Sequence, residues 1–172
     1  MKPTFLFAVL FAAGGLLAAE LPIDGTFENS VLHSKTPRHW GLLQSKAPGA
    51  AVTEVITAED GGTAFAITTQ KKRAMFYHDP AVDVKEGETL KITFTVSGKG
   101  KMYVGYFGHN GAKYLNTVYN KCFEINGKAQ LTDSIPIRPK VNRIKPSFWV
   151  MENSSLVLHS IKMETLPPSA GK

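Results

Sequence analysis

Apolar and polar positions alternate with period two along much of this chain, and the alternation predicts strands. Leu90, Ile92, Phe94 and Val96 alternate with Lys91, Thr93 and Thr95, the pattern of a half-buried strand rich in β-branched residues. Met102, Val104 and Tyr106 continue it against Tyr103, Gly105 and Phe107. Ser97-Gly98-Lys99-Gly100 separates the two runs and reads as the loop of a hairpin. Val52, Val55 and Ile56 form a looser run, closed by Asp60-Gly61-Gly62 and followed by Ala64, Ala66 and Thr68 in alternation with Phe65 and Ile67. Lys85-Glu86-Gly87-Glu88 turns the chain between Val84 and Leu90. Asn110-Gly111 and Asn126-Gly127 are hairpin signals, because both residue types tolerate positive φ. Phe148 and Val150 alternate with Trp149 and Met151, and residues 156–163 read as the last strand.

One stretch carries two patterns. Tyr114, Leu115, Val118, Tyr119, Cys122 and Phe123 recur at helical spacing, while Leu115, Thr117, Tyr119, Phe123 and Ile125 suit a strand. The β-forming residues and the Asn126-Gly127 turn that follows favour the strand. Turn signals recur throughout and no long helical pattern dominates, so the expected class is all-β, an antiparallel sandwich or barrel.

Composition narrows the class. The chain has 172 residues, 43% of them apolar, with 20 Lys plus Arg against 14 Asp plus Glu and a net charge of +6. That suits a single globular domain and excludes a collagen, a coiled coil or a disordered chain. The single cysteine, Cys122, excludes an internal disulfide framework and reads as a small buried hydrophobe. Residues 1–19 open with Lys2, continue as an apolar run and close on Ala18-Ala19 before Glu20. This is the pattern of a secretory signal peptide, too short for a membrane span. The expected organisation is a leader over 1–19, one sandwich domain over 20–166 and a frayed tail over 167–172. The mature protein is then exported, to a periplasm, an extracellular medium or a cell surface. It has no membrane span and no nucleic-acid partner.

The order of the pieces resembles a known family. Leu21-Pro-Ile-Asp-Gly-Thr-Phe-Glu28 is similar to an opening "NGDFE" stretch, and Pro37 to Trp40 to the "P-x-x-W" that follows it. Residues 61–67 resemble an "SG-x-x-AL-x-I" strand, and residues 84–96 a "V-K-x-G-x-x-Y-x-I-S-F-x-V" strand. Together these resemble the secreted jelly-roll carbohydrate-binding modules attached to cellulases and xylanases, in the galactose-binding-like superfamily. The resemblance implies a jelly-roll β-sandwich and non-catalytic glycan binding. It also implies a structural calcium ion, for which Glu28 is the acidic candidate. Three departures stand out. Ala129 replaces a tryptophan, Thr26 an acidic or amide residue, and His159 an aspartate of the last strand that commonly helps hold the calcium. Imidazole is a poor ligand for a hard cation that prefers oxygen.

Other chemistry finds little support. The histidines, His33, His39, His78, His109 and His159, form no metal-binding spacing. There is no G-x-S-x-G and no phosphate-cradling glycine loop, and no catalytic residue is assigned. Aromatics out of phase with the core are the stronger candidates. Tyr103 and Trp149 fall on the outward side of their strands, and Tyr114 follows the Asn110-Gly111 turn. Sugar rings lie on such faces while nearby polar groups bond the hydroxyls. Asn110, Lys113 and Arg138 are the polar candidates, and Trp40 is assigned to the core. Lys71-Lys72-Arg73 and the basic C-terminal half supply a positive surface that would attract acidic polysaccharides. Two alternatives to glycan binding remain: a structural or protein-interaction module of an extracytoplasmic assembly, and a small glycan-active hydrolase or lyase.

Overall fold

The computed structural model describes residues 18–44 and 51–168. Most of the expected leader and the tail from residue 169 lie outside the described residues. The elements are β1 (Ala19–Glu20), β2 (Trp40–Gln44), β3 (Val52–Thr57), β4 (Thr63–Thr69), β5 (Ala74–His78), β6 (Val82–Asp83), β7 (Thr89–Asn110), β8 (Lys113–Asn126), β9 (Ala129–Pro136), β10 (Arg143–Val150) and β11 (Ser154–Leu166). All the pairings are antiparallel. No helix among the described residues is long and apolar enough to cross a membrane.

One strand organises the whole. The N-terminal half of β7 pairs with β11 and β9, and its C-terminal half with β10 and β8. The first layer therefore runs β3-β4-β11-β7-β9 and the second β2-β5-β10-β7-β8. The two layers form a jelly-roll β-sandwich. Residues 97–100 are not the expected hairpin loop. They are the bend of a continuous 22-residue strand. The physical reason lies in the phase. Leu90, Ile92, Phe94 and Val96 face inward before the bend, and Met102, Val104 and Tyr106 after it, all with no exposure. The two inward positions in between are Gly98 and Gly100, so no side chain fills the crease. Their φ values of 116° and 154° are ones that side-chain-bearing residues rarely adopt.

Asn126-Gly127 is likewise a corner and not a hairpin. β8 and β9 both pair with β7, on opposite sides of its bend, and the Gly127 N–H donates to the Gly98 carbonyl at 2.8 Å. The turn at Asn110-Gly111 is a true hairpin, with Asn110 opposite Lys113 and Gly111 at φ 56°. The ambiguous stretch is the strand β8. Cys122 is free and half-buried, less enclosed than its apolar character suggested, because it falls on the outward side of β8 opposite Tyr103.

The core is aromatic. Phe76 and Phe148 stack at 4.8 Å with planes 4° apart, and Phe65 and Phe94 meet them edge-on. Trp40 is buried, as expected, and its indole N–H donates to the Asp24 carbonyl at 3.0 Å. That bond ties the N-terminal segment over the open end of the sandwich.

Candidate functional site

Strand parity decides what the second layer shows to solvent. Since Val104, Tyr106, Phe148 and Val150 point inward, their neighbours Tyr103, Phe107 and Trp149 point outward. Register then brings together residues far apart in sequence. Trp149 lies opposite Tyr103 on one side and Met75 on the other, and Gly105 lies opposite Tyr119. The Tyr119 ring stands 4.9 Å from Trp149 and 6.3 Å from Tyr103, centroid to centroid. Gly105 makes this possible, because a Cβ there would collide with the Val118 carbonyl and stand 2.6 Å from the Tyr119 ring. The Tyr119 hydroxyl donates to the Met75 sulfur at 3.2 Å, and burial pushes its pKa up to about 12, so it is neutral.

Arg73, from the loop between β4 and β5, lays its guanidinium 4.0 Å over the Trp149 ring. This pair is shared by two clefts. One, of about 400 Å³, is lined by Leu43, Lys71, Lys72, Arg73, Met75, Trp149 and Glu152. The other, of about 190 Å³, is lined by Arg73, Tyr103, Tyr119, Trp149 and Met151. The indole N–H of Trp149 is buried without a hydrogen-bond partner among the described residues, the kind of orphan donor that calls for an explanation in a folded protein.

A second aromatic group occupies the other end of the same face. Phe107 stands 5.8 Å from Tyr77 and 6.4 Å from Tyr114, and His109 stands 5.8 Å from Tyr114. Tyr114 is 54% exposed and shares a hydrogen bond with Thr117 at 2.7 Å. Here two of the cations are matched by carboxylates. Lys145 pairs with Asp79 at 2.9 Å and Arg143 with Asp83 at 3.2 Å. Burial, and then the charges of Lys145 and Arg143, hold the His109 pKa below its ordinary value.

The sequence candidates thus divide. Tyr103 and Trp149 are cross-strand neighbours in one site, and Tyr114 lies at the far end of its face. Asn110 and Lys113 close the β7–β8 turn, where Asn110 accepts a hydrogen bond from Asn142 at 3.2 Å. Arg138 sits in the loop after β9, its backbone N–H bonded to the buried Tyr106 hydroxyl at 3.0 Å, and it lines neither cleft beside Trp149. Sequence reasoning missed Tyr119 and Arg73. Tyr119 sits in the stretch with two competing patterns, and Arg73 read only as part of a basic run.

Glu28 is exposed, and among the described residues no three His, Cys, Asp or Glu side chains converge to hold a metal. His159, in the place of the family's aspartate, has its Nε2 2.9 Å from the Ser97 hydroxyl.

A third cleft, of about 440 Å³, opens at the end of the sandwich and is lined by Asp24, His39, His78 and Asp83 among others. The two imidazoles are 6.5 Å apart. His78 is only 2% exposed, and burial holds its pKa below the ordinary value. Its Nδ1 faces the Pro80 carbonyl at 3.0 Å, which can only accept, so Nδ1 carries the proton and Nε2 the lone pair. One oxygen of the Asp24 carboxylate is buried without a partner among the described residues.

No family model matches the chain, and no curated protein matches it. Solved structures do. The chain is similar to the family 11 carbohydrate-binding module of a Clostridium thermocellum cellulosomal cellulase, with a TM-score of 0.52, 15% identity and coverage of 86% of this chain and 95% of that one. It is similar to the CBM22-1–GH10 modules of a Clostridium thermocellum endo-1,4-beta-D-xylanase complexed with xylohexaose, with a TM-score of 0.60, 11% identity and coverage of 90% and 30%. It is also similar to the enzymatically active domain of bacteriophage CBA120 tailspike protein 4, with a TM-score of 0.56, 13% identity and coverage of 83% and 21%. The chain thus spans less than a third of the tailspike and xylanase chains. At these identities the likeness carries the fold, the jelly-roll sandwich of carbohydrate-binding modules.

Proposed function

We propose that this protein binds a glycan without cleaving it, on the outward face of the second layer. The observation that carries the reading is the cross-strand pair of Tyr103 and Trp149, joined by Tyr119 and flanked by two clefts. An aromatic face such as that of Tyr103 accepts the apolar C–H side of a sugar ring, while Trp149 carries Arg73 beside it and the polar groups bond the hydroxyls. The whole-domain likeness to carbohydrate-binding modules, one of them solved with xylohexaose, supports it. Export and a polysaccharide partner belong to the same proposal.

A glycan array probed with the purified protein tests it. Saturable binding is expected, and Tyr103→Ala should weaken it by roughly thirtyfold, the equivalent of losing a hot spot of about 2 kcal/mol. Trp149→Ala should do the same. Chelating calcium should leave binding unchanged, since the aromatic face is held by strand register and ring contacts. Undiminished binding in both variants would move the site off this face, and a blank array from a folded protein would reject the reading.

The third cleft favours a second reading, a small glycan-active hydrolase or lyase. Asp24, His39, His78 and Asp83 are among the residues that line it, and His78 offers a neutral Nε2 as a proton acceptor. Product release from bound glycans, abolished in His78→Gln with binding retained, would establish it. Glycans recovered intact would exclude it.

A further inference from the structure

Resting on the glycan-binding reading above, we propose that the ligand of the Trp149 face is anionic: a glycan bearing carboxylate or sulfate groups. The two ends of the face hold their arginines differently. At the Tyr114 end, Lys145 and Arg143 are each paired with an aspartate. At the Trp149 end, Lys71 and Arg73 line the cleft, beside Lys72, which has a contact of its own. Among the described residues Arg73 has no carboxylate partner, and its contact is the indole ring 4.0 Å away. Arg73 is exposed, so its positive charge is open to a ligand at this point.

The geometry of that contact also matters. A guanidinium held over a ring by its central carbon keeps N–H donors on its rim for other partners. Those donors form a fork that matches two oxygens of a carboxylate or sulfate. Trp149 and Arg73 also line the smaller cleft together with Tyr103 and Tyr119. A sugar stacked on those tyrosines would therefore have its acidic substituent within reach of the fork. The net charge of +6 would steer such a ligand from a distance.

Two matched pairs of probes test this by calorimetry: oligogalacturonate against its methyl ester, and dextran sulfate against dextran. The pair that responds tells carboxylate from sulfate. The charged member of at least one pair should bind roughly tenfold or more tightly than its neutral partner at about 0.15 M salt, where long-range attraction is largely screened. Arg73→Gln should reduce the charged ligand to the level of the neutral one. Lys128→Gln, the same loss of charge on the turn after β8, should change nothing. Equal binding within both pairs would overturn the inference and leave glycan binding standing. So would a charge preference weakened equally by Lys128→Gln, which would make it a property of the whole surface. Failure to bind any charged or neutral glycan would overturn both.

Discussion

At the residue scale, the site depends on small residues as much as on large ones. Gly105 leaves room on the sheet for the Tyr119 ring, and Gly41 does the same for Tyr77, whose ring carbon would be 2.5 Å from an added Cβ. Gly105→Ala should destabilise the fold by about 1–3 kcal/mol, because the Val118 carbonyl opposite is backbone and cannot yield cheaply. It should also displace the Tyr119 ring and weaken glycan binding. Urea titration would read the loss of stability and glycan titration the loss of binding, and an unchanged urea midpoint would show that the strand slides to make room. Tyr103→Ala should cost little stability, since the ring is half-exposed, so its expected loss of binding can be read apart from folding. The outward phase of Tyr103 and Trp149 was legible in the sequence, because it follows from strand periodicity alone. The stacking of Arg73 on Trp149 was not, because it depends on where the β4–β5 loop lies against β10.

At the element scale, β7 is the decisive feature. The same glycines that looked like a hairpin loop allow one strand to serve both layers. Two substitutions separate steric from conformational demands. Gly98→Ala would collide with the Ser155 carbonyl at an unfavourable φ of 116°, and a loss of roughly 3 kcal/mol or more is expected. Gly127→Ala meets nothing within 4 Å and bears only its φ of 98°, so a loss nearer 1–2 kcal/mol is expected. Equal midpoints for the two variants in chemical denaturation would contradict this account of the bend. Edge protection is also visible at this scale. The Val55 N–H of edge strand β3 donates to the Ser34 carbonyl, and its own carbonyl accepts from His33, so the segment between β1 and β2 closes part of an edge that would otherwise invite pairing.

At the scale of the whole molecule, stability should depend on pH through buried histidines. Burial holds the pKa of His78 below its ordinary 6.5, with His39 adding to the effect and the Pro80 carbonyl, Asp79 and Asp24 opposing it. His109 and His159 shift in the same direction, mainly through burial. The unfolded chain then takes up protons before the folded one does. Stability is therefore full above the unfolded value of 6.5 and falls as the pH drops towards the folded pKa. Thermal midpoints measured between about pH 5 and 8 should decline on the acid side. His78→Gln should flatten part of that slope, and a flat profile in the unaltered protein would refute the account.

The sequence by itself determined the local matters: period-two strands, the inward set from Leu90 to Tyr106, the turns at Asp60–Gly62 and Lys85–Glu88, and the buried Trp40. These follow from steric preferences and burial acting within a few residues. The resemblance of its ordered motifs to jelly-roll modules pointed to the fold. Only the tertiary structure decided that residues 97–100 bend a strand, that Asn126-Gly127 turns a corner, and that Arg73, Tyr103, Tyr119 and Trp149 meet. It also decided that His39 and His78 share a cleft. The reason is that β4 pairs with β11, β5 with β10 and β7 with four partners. Such long-range registers are set by how two layers close over one core, and no short stretch of sequence contains that information.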